Sequence, residues 1–286
     1  MKITLASHYG FCSGVKNAIN IVFKARKDYP DKNIYLLNKL VHNEAVINQI
    51  KELGIIVLDD KRSIKDKIES INDGVIIFSA HGHDECLDKI AKERNLIIVD
   101  SICPRVKRNM ISIKQTINNN KNVIFIGITN HPETVASLSI DENIYFIDFK
   151  NPSIEHIPAL DNASIHNQTT LIQSSLDVIY DNLKKKINHM EIINDICFST
   201  TNRQNALSEV TDEDLIIIIG DKISSNSTRL YEVAKQKYPN RSVYQVTSLY
   251  ELKNIDISNN KKGFITAGAS TPDIVINPII EYLENL

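Results

Sequence analysis

Three of the four cysteines recur at nearly equal intervals and in the same local setting. Cys12, Cys103 and Cys197 lie 91 and 94 residues apart (12 to 103, then 103 to 197), each between a strand-like run and a helix-like run. Thiolates bind zinc and iron–sulfur centres, but structural zinc takes four ligands, often in close pairs that this chain lacks. Three thiolates from three segments favour an iron–sulfur cluster with one open iron, which can bind a substrate oxygen.

The fourth cysteine, Cys86, falls outside this repeat. It lies in "DECLDKIAKE", where its spacing with Leu87 and Ile90 is typical of an apolar helix face, so we interpret it as a packing residue. Three unrelated buried thiols would be the alternative interpretation of the other cysteines. Their shared position in the repeat favours a common role.

The same order of elements recurs in each third of the chain. After the helix that follows each cysteine come a second strand ("NIYLLN", "NVIFIG", "DLIIIIG"), a third strand ("GIIVLDD", "NIYFIDF", "SVYQVTS") and a last strand that ends in a polar turn. Runs of β-branched residues that alternate with helices indicate parallel sheets covered on both faces. We therefore predict an α/β fold of three pseudo-equivalent lobes with mainly parallel sheets.

The repeat also predicts the domain boundaries. A first lobe would span 13–102, a second 103–194 and a third 195–286, the last completed by the N-terminal strand within 1–12. The strands before Cys103 and Cys197 each follow a helix of the preceding lobe. By the same rule, residues 1–6 are expected to pair with the sheet of the third lobe.

Polar turns follow the strands, at the edge of a parallel sheet where ligands bind. Imidazole, hydroxyl and amide donors beside helix N-termini suit a phosphate or diphosphate. Each turn alone is equally compatible with helix initiation, as Pro132 and Glu133 of "HPE" illustrate. No Walker loop or G-x-G-x-x-G motif indicates an ordinary nucleotide site. The candidate residues are His42, His81, His131, Thr169, Ser224, Ser225, Asn226 and Ser270.

The composition excludes several kinds of partner. Lys and Arg number 33 against 35 Asp and Glu, a net charge of −2, so no broad basic surface for nucleic acid is indicated. No apolar run approaches the roughly 18 residues of a membrane span, and "MKITLASHYG" lacks the apolar core of a signal peptide. We expect a cytoplasmic protein with reduced cysteines, and no nucleic acid or membrane as a partner.

Nine separated motifs occur in one order along nearly the whole chain: "GFCSGV", "LVHN", "SAHG", "DSICP", "NHPE", "QTT", "NDICFSTTNRQ", "SSNS" and "AGASTPD". In this order they resemble the 4-hydroxy-3-methylbut-2-enyl diphosphate reductase family, also called LytB or IspH. The resemblance implies a trefoil of three α/β lobes around a central [4Fe–4S] cluster. Its three ligands would be Cys12, Cys103 and Cys197, with one iron left open.

The resemblance also implies an activity and a role for each polar turn. The reaction would remove the substrate hydroxyl reductively as water, giving isopentenyl and dimethylallyl diphosphates in the non-mevalonate isoprenoid pathway. Ferredoxin or flavodoxin would supply two electrons. Glu133 and Thr169 would deliver protons, with His131 in the same pocket. The allylic diphosphate substrate would be bound by His42, His81, His131, Thr169, Ser224, Ser225, Asn226 and Ser270.

The segment around Cys103 departs from the family pattern. The usual "DATCP" reads "DSICP", and the usual "CPLVxKVH" reads "CPRVKRNM". The cysteine and the proline persist, whereas the threonine before the cysteine and the later histidine do not. The ligand is therefore retained, while the groups that surround it differ.

Two alternatives belong to other functional classes. A non-redox [4Fe–4S] enzyme of the quinolinate synthase type, also with three lobes and three cysteines, would use the open iron only as a Lewis acid and would favour carboxylate recognition. A non-catalytic iron–sulfur sensor or binding protein would be expected to carry a DNA- or partner-binding extension. The order of the motifs favours the reductase over both.

Overall fold

Residues 1–286 are described by the structure, a computed structural model, and they form twelve strands in three four-stranded sheets. All paired neighbours in these sheets run parallel. The three sheets share one strand order. In each of them, the strand that precedes a repeated cysteine lies at an edge. The predicted α/β class with three parallel sheets is confirmed, and every strand expected from the repeat is present.

Contacts between Cα atoms divide the chain into two compact units. Unit 1 comprises Met1–Lys16, Val41–Gln49 and Cys197–Leu286, and unit 2 comprises Asn17–Leu40 and Ile50–Ile196. Helices α1 (Ser13–Asp28) and α2 (Glu44–Glu52) each begin in unit 1 and end in unit 2.

Unit 1 is built on one sheet, here called sheet A. In spatial order its strands are β1 (Lys2–Leu5), β12 (Lys262–Ala267), β10 (Leu215–Ile219) and β11 (Ser242–Val246). Its helices are α8 (Phe198–Ala206, followed by a 3-10 turn at Leu207–Glu209), α9 (Ser225–Lys237), α10 (Leu249–Lys253) and α11 (Asp273–Glu284).

The edge strand β1 confirms the pairing expected for residues 1–6. It lies parallel to β12, with Lys2 opposite Lys262 and Leu5 opposite Ile265. The prediction was possible because the strand before each cysteine occupies the same place in the repeat.

Successive side chains of a strand point to opposite faces of the sheet, and both faces of sheet A are packed against helices. Ile217 of β10 packs in one apolar cluster with Ile279 of α11. Its neighbour Ile218 packs in a second cluster with Leu230 of α9. The continuous sequence "LIIII" is therefore a strand between two layers of helices, as in parallel sheets generally.

Unit 2 contains the other two sheets. Sheet B has the order β3 (Ile56–Leu58), β2 (Ile34–Leu37), β4 (Val75–Ile77) and β5 (Ile97–Val99). Sheet C has the order β7 (Tyr145–Asp148), β6 (Asn122–Gly127), β8 (Leu160–Asn167) and β9 (Ile187–Ile192). The helices are α3 (Ile64–Glu69), α4 (Cys86–Glu93), α5 (Pro104–Asn118), α6 (Pro132–Leu138) and α7 (Gln173–Leu183).

None of these helices combines the length and the apolar character that crossing a lipid bilayer requires.

Candidate active site

Two of the repeated thiols belong to unit 1, and each lies beside a helix N-terminus. Cys12 follows β1, its backbone N–H donates to the carbonyl of Ala269 at 3.1 Å, and its Sγ accepts from the N–H of Val15 at 3.3 Å. Cys197 is the residue directly before α8. Both thiols are free and partly buried. The positive end of a helix beside a cysteine is a common setting for sulfurs that bind metal.

A buried arginine connects the segments of these two thiols. Arg203 of α8 donates to the carbonyl of Ser199 at 2.6 Å and also to the carbonyl of Gly10. Burial lowers the pKa of the Arg203 guanidinium, and negative charge on Cys12 and Cys197 opposes that shift. A cation therefore lies close to both cysteine side chains. The motif "STTNRQ" contains this arginine, yet sequence reasoning gave it no role.

The start of α9 brings hydroxyl and amide groups together in unit 1. Ser224 caps the helix by accepting from the N–H of Ser227 at 3.5 Å, and Ser225 is the first helical residue. The Oδ1 of Asn226 accepts from the hydroxyl of Thr200 at 3.3 Å. The Asn226 Nδ2 is buried without a hydrogen-bond partner. A helix N-terminus with an unused buried donor is suited to an anion.

Glycines allow α9 to begin directly against the ends of sheet A. A Cβ atom on Gly220 or Gly268 would lie 2.4 or 2.0 Å from the Oγ of Ser227. Such contacts are impossible for a real side chain, so any larger residue would push the start of α9 away from the sheet. The two glycines thereby fix the position of the helix N-terminus.

Ser270 lies in the loop after β12, in unit 1 with His42. Its hydroxyl donates to the carbonyl oxygen of His42 at 3.4 Å. The "AST" turn does not cap α11, because that helix begins at Asp273 and has Pro272 before it. The hydroxyl of Thr271 donates instead to the carbonyl of Ile219 at 3.1 Å. Helix capping therefore does not explain these hydroxyl groups.

In unit 2, a backbone hydrogen bond connects the residue of the third repeated thiol to the turn that carries His81. Cys103 immediately precedes α5, and its backbone N–H donates to the carbonyl of Ala80 at 2.9 Å. The rings of His81 and His131 meet edge to face, with centroids 5.5 Å apart. The turn after β4 and the start of α6 thus place two imidazoles side by side.

Glu133 is a fully buried carboxyl group in contact with Thr169. Its Oε1 accepts from the backbone N–H of Thr169 at 2.8 Å, and its Oε2 accepts from the Thr169 hydroxyl at 2.9 Å. Burial raises the pKa of Glu133 to about 7, with a smaller contribution from Asp195, while the bonds from Thr169 oppose the shift. A carboxyl with such a pKa can both hold and release a proton near neutral pH.

Helix initiation accounts for the position of Glu133 but not for its burial. Pro132 is the first residue of α6 and Glu133 lies in the first turn, as "HPE" predicts. The N-cap is His131, whose Nδ1 accepts from the N–H of Glu133 at 3.2 Å. The Nδ1 of His131 is therefore used as an acceptor inside its own turn.

The packing interpretation of Cys86 is wrong. Cys86 is exposed at the first position of α4, and a hydrogen bond with Asp84 raises the pKa of its thiol. The buried face of α4 is formed by Leu87 and Ala91. The predicted helix is present, but the cysteine lies beside the apolar face and not within it.

The candidate residues fall into two groups, one in each unit. No three His, Cys, Asp or Glu side chains are gathered closely enough to hold a single metal ion. Unit 1 contains Cys12, His42, Cys197, Ser224, Ser225, Asn226 and Ser270. Unit 2 contains His81, Cys103, His131, Glu133 and Thr169.

Comparison with known proteins places this chain among related reductases. The family model described as "LytB protein" matches residues 3–284. The 4-hydroxy-3-methylbut-2-enyl diphosphate reductase of Malacoplasma penetrans is 36% identical over 99% of this chain and 97% of its own. The enzyme of the same name from Alkaliphilus oremlandii is 33% identical, with both chains covered completely.

Solved structures give the same result. The E-1-hydroxy-2-methyl-but-2-enyl-4-diphosphate reductase of Plasmodium falciparum matches with a TM-score of 0.86 and 28% identity, over 99% of this chain and 87% of its own. A second structure, described as the terminal enzyme of the non-mevalonate pathway, matches with a TM-score of 0.70 and 27% identity, over 100% and 99% of the two chains. This chain therefore belongs to the LytB protein family.

Proposed function

We propose that this protein is the reductase of the non-mevalonate isoprenoid pathway that converts 4-hydroxy-3-methylbut-2-enyl diphosphate into isopentenyl and dimethylallyl diphosphates. The full-length relatives carry that name. The observation that carries the proposal for this chain is the buried Glu133–Thr169 pair, whose carboxyl has a pKa of about 7. Reductive removal of a hydroxyl as water needs a proton at the departing oxygen, and this pair can provide one.

An iron–sulfur centre fits the residues that are present. Cys12, Cys103 and Cys197 form no disulfide, are partly buried and lie at helix N-termini. The buried Arg203 adds positive charge beside two of them. Since cysteine sulfurs hold iron–sulfur clusters and these three share one place in the repeat, we propose them as ligands of one [4Fe–4S] cluster with an open iron. When bound, such a cluster supplies electrons one at a time and a Lewis-acidic iron beside the substrate hydroxyl.

The protein itself binds the substrate and handles its protons. The diphosphate would be held by the N-terminus of α9 together with Asn226, Ser224 and Ser270, and by the imidazoles of His42 and His81. These groups donate hydrogen bonds, so the anion can be bound without a lysine.

The proton at the departing oxygen would come from Glu133 through the Thr169 hydroxyl, which already touches the carboxylate. The overall change consumes two electrons and two protons. One proton leaves with the hydroxyl as water, and the other joins the carbon skeleton. Burial of Glu133 keeps its proton from exchanging directly with bulk solvent.

The electron donor and the setting are proposed from the same resemblance. A reductase needs an external electron source, and we propose ferredoxin or flavodoxin. We also propose a cytoplasmic location and the three-lobe division at 13–102, 103–194 and 195–286 with 1–12. Neither a quinolinate synthase type of enzyme nor a non-catalytic binding protein is favoured, because the named relatives are reductases.

Cluster loading with cysteine variants tests this proposal. After anaerobic purification, iron and sulfide are counted and turnover is measured with a reduced viologen dye. We expect about four irons per chain. Replacing Cys12, Cys103 or Cys197 with serine should abolish both the cluster and turnover. Cys86→Ser is the matched control and should retain both; loss of the cluster only in Cys86→Ser would contradict the ligand assignment.

A further inference from the structure

The loop between β1 and Cys12 is hydrogen-bonded at two points to α8 and the turn after it. At the start of the loop, the backbone N–H of Ser7 donates to a carboxylate oxygen of Glu209 at 2.9 Å. Closer to the thiol, a terminal nitrogen of Arg203 donates to the carbonyl of Gly10. This second point lies two residues before Cys12. Helix α8 therefore restrains the part of the loop that presents this cysteine.

The same guanidinium is also bonded to the first turn of α8. Its other terminal nitrogen donates to the carbonyl oxygen of Ser199 at 2.6 Å and to the Ser199 hydroxyl at 2.7 Å. Ser199 lies two residues after Cys197, which directly precedes α8. One side chain thus connects the loop before Cys12 with the start of the helix after Cys197, a task for which the rigid, forked donor of arginine is suited.

Arg203 is a buried cation whose hydrogen-bond partners carry no charge. The residue is only 5% exposed, and its acceptors are two carbonyls and a hydroxyl. Its Nε is buried without a hydrogen-bond partner. Buried charges are normally paired with an opposite charge. Cysteine sulfurs that bind metal are anionic, so the two flanking cysteines can provide that charge as ligands.

The Cys12 loop is held on its other side by the end of sheet A. The backbone N–H of Gly10 donates to the carbonyl of Ala267, the last residue of β12, at 3.2 Å. The N–H of Cys12 donates to the carbonyl of Ala269 at 3.1 Å. Gly10 is therefore bonded to the sheet through its N–H and to α8 through its carbonyl.

We propose that Arg203 is a positioning residue that fastens the Cys12 loop to the start of α8 and so holds Cys12 and Cys197 in a fixed relation as ligands of the iron–sulfur cluster. This inference rests on the ligand role given to these cysteines in the proposed function. Arg203 acts through the backbone of Gly10 and Ser199 and is not itself a ligand.

Cluster retention in Arg203→Met tests this role. Methionine is a long side chain without hydrogen-bond donors, so the two segments lose their common partner. Replacing a group that positions metal ligands typically lowers metal affinity 10–100-fold. We expect iron to pass from the anaerobically loaded protein to a chelator faster than in the wild type by about that factor. The absorbance of the iron–chelator complex measures the rate.

Arg241→Met is the matched control. Arg241 also bridges two backbone carbonyls of unit 1, that of Glu213 and, at 3.2 Å, that of Thr211. Neither carbonyl adjoins a cysteine, so the variant removes the same kind of contact away from the ligands. Its iron release should keep the wild-type rate. Equal rates in Arg203→Met and Arg241→Met would overturn the positioning role.

Arg203→Lys separates position from charge and covers the case in which methionine prevents folding. Lysine keeps the positive charge, but its single ammonium group cannot reproduce the two-pronged donor. Iron release should therefore still be faster than in the wild type. A wild-type rate in folded Arg203→Lys would mean that charge alone is sufficient, and the proposal would be wrong.

Hydrogen exchange followed by NMR provides a readout that does not depend on the cluster. It uses the full-length chain without added iron and sulfide. Losing a hydrogen bond from a charged group should speed exchange of the Gly10 and Cys12 amides about tenfold or more in Arg203→Met. The amide of Ala6, which donates to a carbonyl of β12 at 2.9 Å, should exchange as in the wild type.

Unchanged exchange at Gly10 and Cys12 would contradict the proposed contact. Equal acceleration at Ala6 would indicate general destabilisation and would likewise overturn the role of Arg203. Failure of the proposed function looks different: Cys12→Ser would then retain the cluster, while the exchange rates would still test whether Arg203 holds the loop.

Discussion

At the carboxyl ends of β10 and β12 a buried amide and a buried hydroxyl have no hydrogen-bond partner, whereas at the ends of β6 and β8 a buried carboxyl is paired within the chain. In the first region, the Nδ2 of Asn226 and the Oγ of Ser227 are buried without partners. In the second, both oxygens of Glu133 accept from Thr169. Unpaired buried donors are costly to retain unless a ligand completes them. The first region is thus suited to receive an anion and the second to hold a proton.

The largest expected effect on turnover comes from removing the proton donor in the second region. Glu133→Gln keeps the shape and the helix start but cannot release a proton, so turnover should fall by about 10²–10⁴. Substrate affinity should change less than turnover, since Glu133 itself is not among the groups assigned to the diphosphate. Steady-state kinetics on the cluster-loaded protein separate the two quantities.

Glu142→Gln is the control for that experiment, since it removes an exposed carboxyl from the loop after α6. Its kinetics should match the wild type. Near-normal turnover in Glu133→Gln would leave Glu133 with only a helix-start role, and the contrast between the two regions would fail.

The next effect is on stability and follows from the same carboxyl. The pKa of Glu133 is raised from 4.5 to about 7 in the folded protein. Between these values the folded protein binds a proton that the unfolded chain has lost, so the free energy of unfolding falls as pH rises. The loss is about 3 kcal/mol at most, fully present above pH 7 and absent below pH 4.5.

Denaturant unfolding at pH 5 and pH 8 measures this loss. In Glu133→Gln the contribution of this group disappears, so the decrease between the two pH values should be smaller than in the wild type by up to about 3 kcal/mol. An unchanged decrease would mean that the carboxyl is not buried in the uncharged form.

The smallest expected effect concerns the first region. Asn226→Asp keeps the oxygen that accepts from Thr200 but replaces the unused donor with a negative oxygen. Loss of a hydrogen bond to a charged ligand costs about 1.5–3 kcal/mol, so affinity for the diphosphate should fall about tenfold or more. Turnover at saturation should change less than in Glu133→Gln.

Asn254→Asp adds the same charge at an exposed position of unit 1 and serves as the control in titrations of substrate binding. If Asn226→Asp bound the diphosphate with wild-type affinity, the diphosphate would not bind at the start of α9. The unpaired amide of Asn226 would then have no explanation.

Local sequence patterns predicted the helices and strands of this fold well, because each strand is a recognisable run of apolar residues. "LIIII" between turns is typical of a strand covered on both faces, and the position of Cys12 in the repeat predicted that β1 joins the sheet of the third lobe, where it pairs with β12. Cys86 shows the limit of such patterns. Its spacing predicted the helix correctly, but a shift of one position on the helix surface decides whether a side chain is buried.

The burial of the functional groups could not be predicted from the sequence, because segments far apart in the chain create it. "HPE" predicts a helix start, and Glu133 does occupy one. The buried carboxyl contacts Thr169, 36 residues later, and Asn109 of α5 is likewise buried, only 2% exposed. Nothing in "CPRVKRNM" distinguishes Asn109 from an exposed polar residue of an amphipathic helix. The lobe boundaries and the roles of the individual site residues stay predictions.

The pairing of β1 with β12 has a consequence for how the protein is made. The partner of β1 is translated about 260 residues later, and synthesis at about 5–20 residues per second makes this a delay of roughly 10–50 s. Until then, the segment that carries Cys12 has no sheet to join, while the strands around Cys103 can already associate. A nascent or truncated chain can therefore form the surroundings of one thiol without those of another. Translation of β12 therefore precedes the placement of all three.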